Sequence, residues 1–68
     1  MYALRSGHVN PDYYSGGTHQ LRGEKVPNTS PTTDKAVKYN SYNSAKKMEE
    51  KLNEKYAGDY YFNVEELR

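Results

Sequence analysis

The sequence predicts a small α+β domain, an antiparallel sheet of about three strands in order 2-1-3 with one main helix on one face. Three observations carry this. Ala45, Met48, Leu52 and Tyr56 recur at helical spacing within 41–58. Tyr60, Phe62 and Val64 alternate with Tyr61, Asn63 and Glu65 near the end of the chain. Tyr2 and Leu4 alternate with Ala3 and Arg5 at its beginning. A hairpin followed by a helix that returns the chain places the last strand beside the first, giving the chain order ββαβ.

Residues 1–22 supply the first strand and its hairpin partner. Met1–Ser6 is the first strand, Gly7–Pro11 a loop by its Gly, Asn and Pro content, and Asp12–Ser15 the returning strand. Gly16–Gly17 punctuates, and Thr18–Arg22 is a further short extended piece. Residues 23–33, GEKVPNTSPTT, read as an exposed polar loop, because Pro27 and Pro31 cannot donate to a sheet ladder. Such a long loop in so small a chain is either functional or disordered. In 34–40, Thr33 or Asp34 caps a short turn that brings Ala36 and Val37 near the core.

The main helix, 41–58, has Ser41 as its N-cap and Gly58 as its terminator. Its surface charges support it weakly: Lys47–Lys51, Glu50–Glu54 and Lys51–Lys55 are like-charge pairs at i,i+4. Packing of Met48 and Leu52 must therefore hold it. Residues 59–67 form the closing strand, and the whole of 1–68 is one domain.

Composition narrows the function classes. Only 34% of the 68 residues are hydrophobic, and cysteine and tryptophan are absent, so the core holds the fold without a disulfide. The formal charge is +1, about +2 over residues 1–40 and −1 over 41–68. That balance disfavours a strong phosphate-binding protein and an acidic nucleic-acid mimic alike. MYALRSGHVN lacks the apolar run of a signal peptide and nothing approaches a membrane span, so a cytoplasmic location is expected.

Chemistry is sparse. His8, His19, Asp12 and Asp34 are the available metal ligands, and no pair has a recognised zinc spacing. No serine sits in a nucleophile signature, and Glu49–Glu50 and Glu65–Glu66 are adjacent carboxylates read as solvated charges. The expectation is a non-enzymatic protein with no cofactor and no metal.

The eight tyrosines are the outstanding feature. Tyrosine either builds the core of a chain poor in aliphatics, the favoured reading, or forms an exposed binding face. Because one helix covers one face of a sheet, the other face is expected to be open. The candidate binding residues are Tyr61 and Asn63 on the last strand, Tyr13 or Tyr14 on the hairpin, whichever the strand register turns outward, and Arg5 and Arg22 beside them.

MYALRSG, YYSGG, TTDKAVKYNSYNSAKK and the closing VEEL resemble small uncharacterised proteins from phages and prophages of Gram-positive bacteria. The shared element is A-x-x-Y-x-S-x-x-x-A, here Ala36, Tyr39, Ser41 and Ala45, and the GEKVPNTSP insertion departs from the pattern. The resemblance implies a phage accessory role such as anti-CRISPR inhibition of a host defence protein, acting in the bacterial cytoplasm, and assigns no catalytic residue. Two other readings stand beside it. One is a single-stranded nucleic-acid-binding module that stacks bases on tyrosines. The other is a structural homodimer formed by pairing strand edges.

Overall fold

A computed structural model describes residues 1–7, 10–57 and 60–67. Among these, four antiparallel strands form one sheet: β1 (Tyr2–Ser6), β2 (Asp12–Leu21), β3 (Glu24–Ser30) and β4 (Asn63–Glu66), in spatial order β3-β2-β1-β4. One helix, α1 (Tyr42–Lys55), packs against it. The predicted 2-1-3 arrangement survives as β2-β1-β4, and the sheet gains a fourth strand, making the chain order βββαβ. The 23–33 stretch is therefore corrected from loop to strand over Glu24–Ser30.

What makes β3 a strand is its partner. Arg22 (φ 54°) and Gly23 (φ 83°) are both left-handed, the two-residue turn whose twist matches paired strands. Leu21 then faces Glu24, Gln20 faces Lys25, His19 faces Val26 and Thr18 faces Pro27. Pro27 is tolerated because β3 is an edge strand, where a missing N–H need break no ladder bond.

Gly16–Gly17 does not end β2. The register slips between Tyr14 and Thr18, so this pair forms a bulge inside the strand. Gly16 lies at φ +92°, and a Cβ there would stand 3.1 Å from Val37 Cγ2. Asn28 closes the bulge from β3, its Nδ2 donating to the Gly16 carbonyl at 2.9 Å while Oδ1 meets His19 Nδ1.

β1 pairs with β2 only at Arg5↔Tyr13 and Ser6↔Asp12, because the strap Thr33–Tyr39 wedges between them beyond that point. Val37 N donates to the Tyr14 carbonyl (2.9 Å), and Tyr39 exchanges both backbone hydrogen bonds with Tyr2 (2.8 and 2.9 Å). The strap starts as a 3₁₀ turn, Thr33–Lys35, whose Thr32 cap makes no side-chain hydrogen bond. Its carbonyls are gathered instead by Lys38, whose Nζ donates to Thr33 O at 2.8 Å and to Asp34 O and Ala36 O at 3.4 Å.

The helix forms as its pattern dictates. Ser41 is extended and its Oγ accepts from Ser44 N at 3.2 Å. Ala45, Leu52 and Tyr56 are buried against Leu4 and Phe62, with Tyr2, Tyr14, Tyr39, Met48, Tyr60 and Val64 around them. The helix proper ends at Lys55 with Tyr56 as its C-cap; the Gly58 terminator and Asp59 lie outside the described residues, and the closing strand expected from 59 is corrected to begin at Asn63, once Asn53 has taken both backbone groups of Phe62.

One helix position overturns its expectation. Glu49, read as a solvated charge, is 7% exposed. Its Oε2 accepts from Val64 N at 2.9 Å and its Oε1 from Lys46 Nζ at 2.7 Å. One turn on, Asn53 accepts from Phe62 N (2.7 Å) and donates to Phe62 O (3.0 Å). Residues four apart on a helix rise about 6 Å, and residues two apart on a strand about 6.6 Å. The two spacings nearly match, so Glu49 and Asn53 pair with Val64 and Phe62 along the outer edge of β4, as a fifth strand would.

Candidate functional site

The six candidate residues do not gather in one place. Tyr14 lies on the helix side, packed edge-to-face on Phe62 with ring centroids 6.0 Å apart. Arg22 is exposed at the hairpin turn, at the far end of β2 from Tyr13. Of the Tyr13–Tyr14 pair it is therefore Tyr13 that faces away from the helix, and the place of Arg22 corrects the expectation that it flanks that face with Arg5. Arg5, Tyr13 and Asn63 do share one face, since Arg5 is in register with Tyr13 on one side and Asn63 on the other.

That face is not bare. Ala36 of the strap buries against Ala3 and Tyr13, with Leu67 beside them. Tyr13 is consequently only 8% exposed and unavailable as a contact residue. The expectation of a wholly open second face fails because the strap covers part of it. What stays accessible is the part bordered by Tyr61, which is 67% exposed, and Asn63.

There a groove of about 460 Å³ opens, lined by Arg5, Ser6, Gly7, Tyr61, Asn63, Val64 and Glu65. The volume lies in the range of ligand-binding clefts. Its polar centre is a three-residue network: Arg5 Nη1 donates to Glu65 Oε1 at 3.1 Å, and the Tyr13 hydroxyl donates to Glu65 Oε2 at 2.7 Å. Glu65 is therefore not the solvated charge expected of it, being about two-thirds covered. Its hydrogen bond, followed by burial and the carboxylate's charge, raises the Tyr13 pKa above the ordinary tyrosine value, with the Arg5 charge opposing. Arg5 is the less satisfied member. Its Nε is buried and has no hydrogen-bond partner.

Ser6, Gly7, Val64 and Glu65 are the groove residues that sequence reasoning missed, Val64 having been read only as part of the apolar face of the last strand. Glu65 carried a signal, because it alternates in phase with Tyr61 and Asn63 and therefore shares their face. Ser6 and Gly7 carried none.

The remaining tyrosines explain the residue's abundance. Tyr56 contacts Tyr60 edge-to-face and Tyr60 stacks on Phe62, with centroids 6.1 and 6.2 Å apart. Tyr2 meets Tyr42 edge-to-face at 5.8 Å. Such pairs add about 0.5–1.5 kcal/mol each beyond buried area. Tyrosine is mainly core material here, as favoured, with Tyr61 and Tyr42 left exposed.

Among the described residues no group of His, Cys, Asp and Glu side chains could hold a metal ion, and no helix is long and apolar enough to cross a membrane. The four residues behind the phage resemblance all serve the fold. Ala36 and Ala45 are buried, Tyr39 pairs with Tyr2, and Ser41 caps α1. No protein-family model matches the chain, and no match was found among curated proteins or solved structures.

Proposed function

We propose that this protein is a non-catalytic binding module that docks on another protein through the Tyr61–Arg5 groove and modulates or blocks it. The observation that carries the reading is Tyr61 itself. It is the most exposed of the large apolar side chains and sits on the rim of a groove floored by an arginine. Tyrosine and arginine are the residue types that most often dominate binding energy at interfaces. The resemblance to phage proteins supplies the target class, a bacterial host protein such as a component of a defence system.

The nucleic-acid reading has less to stand on. Tyr2, Tyr13, Tyr14 and Tyr60 are at least partly buried in packing, which leaves Tyr61 alone on this face for a base to stack on.

The test is a tagged pull-down from bacterial lysate, with and without nuclease, comparing the natural chain with Tyr61→Ala. A stoichiometric protein that survives nuclease and is lost with Tyr61→Ala, the circular dichroism spectrum being unchanged, is the expected result. Capture that vanishes with nuclease transfers the function to nucleic acid. Capture indifferent to Tyr61→Ala removes the groove from the interface.

A further inference from the structure

We propose that the groove takes a carboxylate carried by the partner, an Asp, Glu or chain-terminal group flanked by apolar atoms, which Arg5 binds while Tyr61 packs against the flank. The inference rests on the docking role proposed for the groove and names the chemistry of what enters it.

The argument is a count of hydrogen-bonding capacity. Both oxygens of Glu65 are already engaged, one by Arg5 Nη1 and one by the Tyr13 hydroxyl. The Tyr13 hydroxyl, a phenol and so protonated at neutral pH, is the donor in that bond. Arg5 spends only Nη1 on Glu65 and offers its remaining N–H groups to no other described side chain. The edge of a guanidinium that includes Nε is one that takes a carboxylate as a two-bond fork, and here Nε has no partner. A buried polar group without a partner calls for an explanation, and an incoming acceptor supplies one. Arg5 lines the groove with about one-third of its side chain exposed, and forming the fork requires its enclosed Nε to turn toward the groove.

The surroundings favour the same occupant. Asn63 and Ser6 on the groove wall can donate to a second acceptor of the same segment. Tyr61 offers a ring face to the carbon skeleton that carries the carboxylate. Glu65 would repel a free anion, yet its charge is shared between two donors before any ligand arrives.

The probe is phenylacetate, which joins a carboxylate to an apolar ring, against its neutral counterpart phenylacetamide. Both are titrated into the full ¹⁵N-labelled chain and followed by amide and Arg5 Nε–H chemical shifts. Phenylacetate should give saturable shifts at Arg5, Tyr61 and Asn63 and bind about tenfold or more tighter than phenylacetamide, as a charge-assisted fork requires. Arg5→Gln should erase the difference between the probes. Arg5→Lys, which keeps the charge without the fork, should retain only part of it and serves if Arg5→Gln does not fold. Tyr61→Ala should weaken both probes in parallel.

Equal affinity for the two probes, no saturable shift at these three residues, or a preference that persists without Arg5 would overturn the proposal. The pull-down separates this failure from failure of the docking role. A partner lost with Tyr61→Ala but retained with Arg5→Gln docks on the groove without a carboxylate. A partner indifferent to both does not use the groove at all.

Discussion

Asn53→Ala tests whether helix side chains close the sheet edge at β4. Asn53 makes two hydrogen bonds to Phe62, at 2.7 Å to its N–H and 3.0 Å to its carbonyl, and Phe62 is fully buried. The substitution removes both bonds and strands two backbone groups. A buried polar group left unpaired costs about 1–3 kcal/mol, so the pair costs about 2–4 kcal/mol once relaxation is allowed for. Alanine returns about 0.6 kcal/mol as the better helix former. The net loss expected is about 1.5–3.5 kcal/mol, a large share of the roughly 3–10 kcal/mol available to a chain this long. Urea unfolding followed by circular dichroism reads it as a fall in midpoint with the slope unchanged. Asn43→Ala is the control, since Asn43 is exposed at the start of the same helix and shares the propensity change. If Asn53→Ala loses less than about 0.5 kcal/mol relative to that control, the edge bonds contribute nothing net and the reasoning fails.

Three further outcomes are expected. Tyr56→Phe should be neutral or stabilising by up to about 1 kcal/mol, because the buried Tyr56 hydroxyl has no hydrogen-bond partner; a loss above that in thermal unfolding would contradict it. Arg22→Asn should stabilise by about 0.5–1 kcal/mol, since asparagine tolerates the left-handed turn position better than arginine; an unchanged urea midpoint would count against the turn assignment. Stability should fall in alkali. Tyr13 has a raised pKa from its bond to Glu65 and burial, and Tyr39 from burial and then the Tyr14 charge, so the unfolded chain releases these protons first. Their contribution is therefore complete below pH 10, the unfolded value, and is lost as pH rises through the folded values. Unfolding free energies measured across that range should decline more shallowly in Tyr13→Phe.

How much of this was legible in the sequence follows from which forces are local. The helix announces itself because Ala45, Leu52 and Tyr56 repeat at its own period and Ser41 supplies a cap within one turn. Leu4 and Phe62 announce β1 and the closing strand by alternation. β3 does not, because Glu24–Ser30 owes its extended form to pairing with β2 across the Arg22–Gly23 turn, and Pro27 within it and Pro31 just after it argue the other way. Glu49 occupies the buried stripe between Ala45 and Leu52, so its position was readable; its glutamate chemistry hid the burial, which is compensated only by Val64 and Lys46. At the site, Tyr61 and Asn63 were placed by alternation alone. Tyr13 was not, because the strap that covers it comes from 33–39, and no local pattern encodes that return.

The two margins of the sheet differ, and this limits how copies of the chain can associate. At the outer margin of β4, Asn53 takes both the N–H and the carbonyl of Phe62, and Glu49 takes the Val64 N–H. The β3 margin lies away from α1, and is tempered by Pro27 and the charges of Glu24 and Lys25. Growth of a fibril by strand addition needs a donor margin and an acceptor margin on each unit. With Phe62 and the Val64 N–H already engaged, the β4 margin offers an incoming strand fewer groups than the β3 margin does, and that difference depends on keeping α1 docked.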